Sequence, residues 1–139
     1  MLNIGGVGRH QAIGFVGALH VPSISRTERR QRRDIEHAAQ VALTQEMIAC
    51  ALDVSIAEMR APTRRRAPVA HARQIAMYLM HVAFGFSLSA VGRHFGRDRT
   101  TAAHACRQIE DRRDDQDFDL LLDRLEYAVR TMPLSGLRQ

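Results

Sequence analysis

The chain has 139 residues, a net charge of +5 and a sequence pI near 10.5, a length that suits one domain with a modest core plus a tail. All 20 basic residues are arginine. The lysine that a P-loop sets on nucleotide phosphates is therefore missing from these residues, which excludes a Walker-type NTPase and a lysine Schiff base within them.

Other classes fall away on pattern. No apolar run approaches the roughly 20 residues that span a bilayer. The short apolar stretch Ala12 to Leu19 is interrupted by Gly14 and Gly17 and followed by His20, unlike a signal peptide, so the cytosol, in association with the nucleoid, is the expected location and no membrane partner is expected. Cys50 and Cys106 stand among apolar helical neighbours and are expected to be reduced, buried and inert. No two of the seven histidines have the i, i+4 spacing of a helical metal pair, and neither metal nor cofactor is expected.

In chain order, Met1 to Ser25 holds five glycines, one proline and no usable period, and reads as a mobile arm. Its apolar residues, among them Ile4, Val7, Phe15 and Val16, also suit a partner-binding segment. Thr27 to Leu52 is a long helical pattern with Thr27 as expected N-cap and Arg26, Arg29, Arg30, Arg32 and Arg33 around its first turns. Ser55 is expected to open a short helix that Pro62 closes. Arg60 to Ala70 is a loop by its prolines and a basic patch by its arginines, placed just before a helix from His71 to Phe84.

The stretch Ser87 to Arg113 has the outline of a helix-turn-helix. Leu88, Val91 and Phe95 share one face of its first helix, Gly96 makes the turn, and a second helix opens at Asp98 or Thr100. Ala102, Ala105, Cys106 and Ile109 form an apolar seam on that second helix, while Arg99, Thr100, Thr101, His104 and Arg107 turn outward. The outward groups can bond base edges and phosphates. A last helix, Phe118 to Val129, closes the core ahead of Pro133.

Charge is divided along the chain. Arg60 to Arg73 holds five arginines and no acid, whereas Glu110 to Glu126 holds eight acids against three arginines. One region attracts phosphate and the other repels it.

The segments ARQIAMYLM (Ala72 to Met80) and FSLSAVGRHFGRDRTTAAHACRQIE (Phe86 to Glu110) resemble the C-terminal DNA-binding domain of the bacterial replication initiator DnaA. The resemblance runs from about Thr44 to Ile109. It implies an all-helical domain that binds a nine-base-pair box, with the helix-turn-helix in the major groove and a basic-loop arginine in the adjacent minor groove. By position it implies Arg65 as the minor-groove residue, flanked by Arg64 and Arg66. It implies Arg73 and Gln74 as phosphate contacts and Asp98, Arg99, Thr100 and Thr101 as the groups facing bases and methyl groups, with His104 matching the family histidine on the same helix.

Three departures from the family pattern stand out. The turn has one glycine where the family has two, Arg99 replaces a histidine and can reach guanine O6 and N7, and Ala72 stands where proline is usual while Pro68 lies in the basic loop.

The expected architecture is all-α, a compact domain of five to six helices with a helix-turn-helix. Residues 1–25 form a flexible arm, 26–133 the domain and 134–139 a tail. The expected function is non-enzymatic, sequence-specific binding of double-stranded DNA at DnaA-box-like sites, regulating replication initiation or nearby transcription. About forty residues precede the match where the initiator has its ATPase module, so a stand-alone domain is expected. The alternative is an interaction protein that binds the initiator or another replication factor through the arm or the acidic last helix.

Overall fold

Capping chemistry decides where the long first helix starts, and it starts two residues before the sequence pattern suggests. The computed structural model describes residues 22–62 and 66–132. In it α1 (Arg26–Ala51) is capped by Ser25 rather than by Thr27. Glu28 N donates to Ser25 Oγ at 3.2 Å, and Ser25 N donates to Glu28 Oε2 at 2.8 Å. This reciprocal capping box satisfies two amides that the first turn would otherwise leave unpaired.

Helix α1 has two unlike halves. Every residue from Pro22 to Glu36 is exposed, whereas Val41, Thr44, Gln45, Ile48 and Ala49 are buried. The helix stops where Asp53 takes a φ of 52° and Val54 N donates back to Ala49 O at 3.0 Å. Short helix α2 (Ile56–Arg60) follows with Ser55 as its cap, as the sequence suggests.

Helix α3 (Ala67–Val82) begins four residues before His71, and so takes in the end of the expected loop. Pro68 lies in its first turn, where its missing N–H costs nothing because that amide has no intrahelical partner. The proline that the family carries one turn later is thus replaced by one that opens the helix one turn earlier. From Ile75 to Met80 every residue of α3 is buried, as expected of a helix packed on all sides.

The remaining elements are α4 (Leu88–His94), α5 (Arg99–Asp111), one turn of 3-10 helix (Arg112–Asp114) and α6 (Gln116–Thr131). Two adjoining apolar clusters hold them. One joins Ile48, Met59, Ile75, Leu79, Ile109 and Leu122, and the other joins Val41, Met77, Met80, Phe86, Val91 and Ala102. Helix α3 contributes to both, and it is the element on which α1 and the helix-turn-helix are mounted.

The all-helical class and the helix-turn-helix are therefore as expected. Cys50 is not: it is exposed at the end of α1, because its position on the helix faces away from the buried row of Thr44, Ile48 and Ala49. Cys106 is half-buried, and that burial pushes its thiol pKa up. No described helix is long and apolar enough to cross a membrane. Residues 1–21 of the expected arm, Arg64, Arg65, Pro133 and the tail lie outside the described residues.

Candidate nucleic-acid interface

The turn between α4 and α5 depends on two glycines. Gly96 has a φ of +61°, a left-handed conformation that side chains resist. Gly92 is buried inside α4, and a Cβ there would stand 2.7 Å from Arg97 O and 3.0 Å from Asp98 O. The chain comes so close because Arg97 N donates to Gly92 O at 2.7 Å. That bond folds the turn back on α4 and sets the angle at which α5 leaves.

Asp98 then caps α5, its Oδ1 accepting from Thr101 N at 2.6 Å. The Thr101 and Thr100 amides hold the Asp98 carboxyl below the ordinary carboxylate pKa. Asp98 is thus ionised at neutral pH and occupied in starting the helix. Beyond the cap, Arg99, Thr100, Thr101, His104 and Arg107 are all exposed, while Ala102, Ala105 and Ile109 are buried against α3 and α4. All five residues read as outward from periodicity are thus exposed in the fold, as is Gln108.

The far end of α5 is tied down. Tyr78 Oη donates to Glu110 Oε2 at 2.8 Å, and Arg113 Nη1 donates to Tyr78 Oη at 2.9 Å. Arg113 also pairs with Asp119 and Asp123 of α6, which with Tyr78 raises its already high pKa. Arg112 Nη1 lies 2.9 Å from His71 Nε2, and its guanidinium covers the Phe118 ring at 4.3 Å. Glu110, Asp111, Asp114, Asp115 and Asp117 are exposed around this end.

A shallow groove runs between α3 and the opening turns of α5, lined by Ala70, Arg73, Gln74, Met77, Arg97, Thr101, His104 and Ala105. It brings together residues expected to touch phosphate and residues expected to touch bases. Gln74 Nε2 donates to Gln108 Oε1 at 2.6 Å across the groove. Arg97 and Gln108 were missed by the sequence reading. Arg97 lies in the turn rather than in a helical period, and Gln108 is marked only by its partner 34 positions away.

Arg73 differs from the expected surface cation. It is 6% exposed, and its guanidinium donates to Met59 O at 2.9 Å, Glu58 O at 2.9 Å and Ala61 O at 3.3 Å. Those carbonyls are at the C-terminal end of α2, where a cation is favourable; Glu58 O also accepts from Ala61 N at 3.2 Å. Arg66 is exposed at the N-cap of α3 and pairs with Glu58 at 3.4 Å.

Residues 41–109 match the family described as the bacterial DnaA protein helix-turn-helix. The chain is 30% identical over 131 residues to the chromosomal replication initiator protein DnaA of Lactococcus lactis subsp. cremoris, covering 88% of this chain and 28% of that protein. Over 57 residues it is 44% identical to the DnaA of Mycobacteroides abscessus, covering 41% of this chain and 11% of that one. Among solved structures it is similar to a DNA replication initiation factor, with a TM-score of 0.67, 27% identity and coverage of 73% of this chain and 31% of the other. A replication initiator DnaA bound to AMPPCP and single-stranded DNA gives a TM-score of 0.64 at 27% identity, over 74% of this chain and 31% of that one. The chain thus spans under a third of the length of these relatives.

Proposed function

Residues 41–109 belong to the bacterial DnaA helix-turn-helix family, and from that premise we propose that the chain binds double-stranded DNA at DnaA-box-like sites. Its role is to regulate replication initiation or transcription nearby, as a binding module that hydrolyses no nucleotide. The observation that carries this reading is the outward face of α5. Arg99, Thr100, Thr101 and His104 are exposed together on the half of the helix that is free of the acidic cluster, and Arg107 is exposed one turn before Glu110.

The chemistry of that face suits a duplex. Arg99 can donate two parallel bonds to guanine O6 and N7, and the threonine methyls and hydroxyls suit thymine methyls and base edges. Arg107, two turns further along, is placed for a phosphate. Arg64 and Arg65, just before α3, are proposed for the minor groove, where a narrow A·T-rich stretch concentrates negative potential. Arg66 extends that patch, and Gln74 lines the groove beside it.

Arg99→Ala tests the reading. On the duplex selected by the purified chain from random fragments, the loss should be about 1 to 3 kcal/mol, with a smaller loss on unselected DNA. Equal losses on both would remove Arg99 from base reading.

A further inference from the structure

The exposed half of α1 contributes nothing to either apolar cluster or to the α3–α5 groove. Over its first eleven residues this helix buries no side chain. This exposed half is continuous with the buried half of α1 and is closed at its start by a complete capping box. Arg26, Arg29, Arg30 and Arg33 recur at intervals of three, one and three, so they lie on one face, and His37 continues it one turn later. At 1.5 Å per residue the ridge from Arg26 to His37 is about 16 Å long.

Five arginines against Glu28, Asp34 and Glu36 leave residues 26–37 with a net positive charge. Glu28 is occupied in the capping box, and Arg29 Nε donates to Ile24 O at 3.0 Å. Among the described residues no salt bridge joins any of the four arginines to an acid.

The ridge is also placed at a particular end of the molecule. The His37 ring packs on Phe86 with centroids 4.4 Å apart, and His94, at the end of α4, packs on Phe86 at 5.6 Å. His94 is in turn within electrostatic reach of Arg93 and Asp34. The ridge therefore joins the domain at the end of α4 that leads through Arg97 into the reading half of α5. The acidic cluster lies beyond the other end of α5.

We propose that Arg26, Arg29, Arg30 and Arg33 of α1 form a second phosphate-binding surface, which holds the backbone of the same duplex outside the site read by α5. This rests on the DNA-binding reading above. A backbone contact of this kind adds affinity and orients the domain without reading sequence, and its strength falls steeply with salt. A ridge of three helical turns is long enough for two or three successive phosphates of one strand.

The test uses the full chain and its selected site in two duplexes, one ending close to the site and one extended by a further two turns of DNA on each side. Salt titrations compare the wild type with the variant R26Q/R29Q/R30Q/R33Q, since glutamine keeps nearly the helix propensity of arginine; circular dichroism confirms that helix content is kept. The wild type should bind the long duplex about tenfold more tightly, with a log–log salt slope steeper by about 2 to 3 than on the short one. The variant should bind both duplexes alike, at the affinity of the wild type for the short one. A wild type with equal slopes on both, or a variant that keeps the difference, overturns the proposal while leaving the α5 reading intact. A wild type that selects no duplex overturns that reading and this one with it.

Discussion

The two ends of α5 belong to one helix of 13 residues but are built on opposite principles. At the C-terminal end, side chains from four elements are locked together: Tyr78 from α3, Glu110 from α5, Arg113 from the 3-10 turn, and Asp119 and Asp123 from α6. At the N-terminal end the backbone is held by the Asp98 cap and the Gly92 contact, while the side chains of Arg99, Thr100, Thr101 and His104 are exposed. A reading helix needs both. Fixing one end and one face sets the angle of approach, and the outward side chains then lose little on meeting a partner because their backbone is already placed. Charge follows the same division, since the exposed acidic cluster lies at the locked end, where it would repel phosphate.

Breaking the locked end should produce the largest effect. Ile109 is fully buried between α3 and α6, and Ile109→Ala should lower unfolding free energy by about 2 to 5 kcal/mol. Chemical denaturation measures this. At temperatures where the variant is still folded, its affinity for the selected duplex should stay near that of the wild type; a comparable loss of binding would mean that the two ends are not independent.

A smaller effect sharpens the boundary between anchoring and reading. Arg73 lines the groove of the reading end, yet three of its bonds go to carbonyls at the end of α2. Arg73→Ala should therefore lower stability by about 1 to 3 kcal/mol, the cost of leaving buried acceptors unpaired. If melting were unchanged and the salt slope of binding fell by about one, Arg73 would belong to the phosphate contacts instead.

Arg73 also shows how far the sequence could be read. Periodicity assigns a residue to a face, and the faces of α5 and α6 follow from it because each packs along one stripe. It does not distinguish a surface cation from one that reaches back 12 to 15 positions to satisfy carbonyls, because that depends on where α2 ends in space. The start of α3 was hidden for a related reason: a proline suggests a loop unless it falls in a first helical turn, as Pro68 does. The glycine of the turn at Gly96 was legible from its position between two helical patterns. Gly92 was not, because its role is to admit the Arg97 carbonyl, a contact with no sequence period. Ser25 and Thr27 both suit an N-cap by residue type, and Glu28, three positions after Ser25, decides for Ser25 by completing the capping box.

The smallest predicted effect is a pH dependence confined to the locked end. His71 is partly buried beside Phe118, and burial first, then the Arg112 guanidinium, lowers its pKa from the ordinary 6.5. A histidine whose folded pKa is depressed takes up its proton more readily in the unfolded chain. Its contribution to stability is therefore fully present above 6.5 and is lost as pH falls through the folded pKa, where a second cation would face Arg112. His94 is lowered in the same direction, by burial and by its neighbours His37 and Arg93, so the wild-type profile contains both groups. The difference between wild type and His71→Gln isolates one of them. Thermal melts from pH 7.5 down to pH 5 should show the wild type losing more stability than the variant, and profiles that stay parallel would count against His71 as a titrating anchor. Duplex affinity, compared between wild type and the variant at each pH, should not separate them, because His71 is bound to the end of α5 away from the proposed reading face.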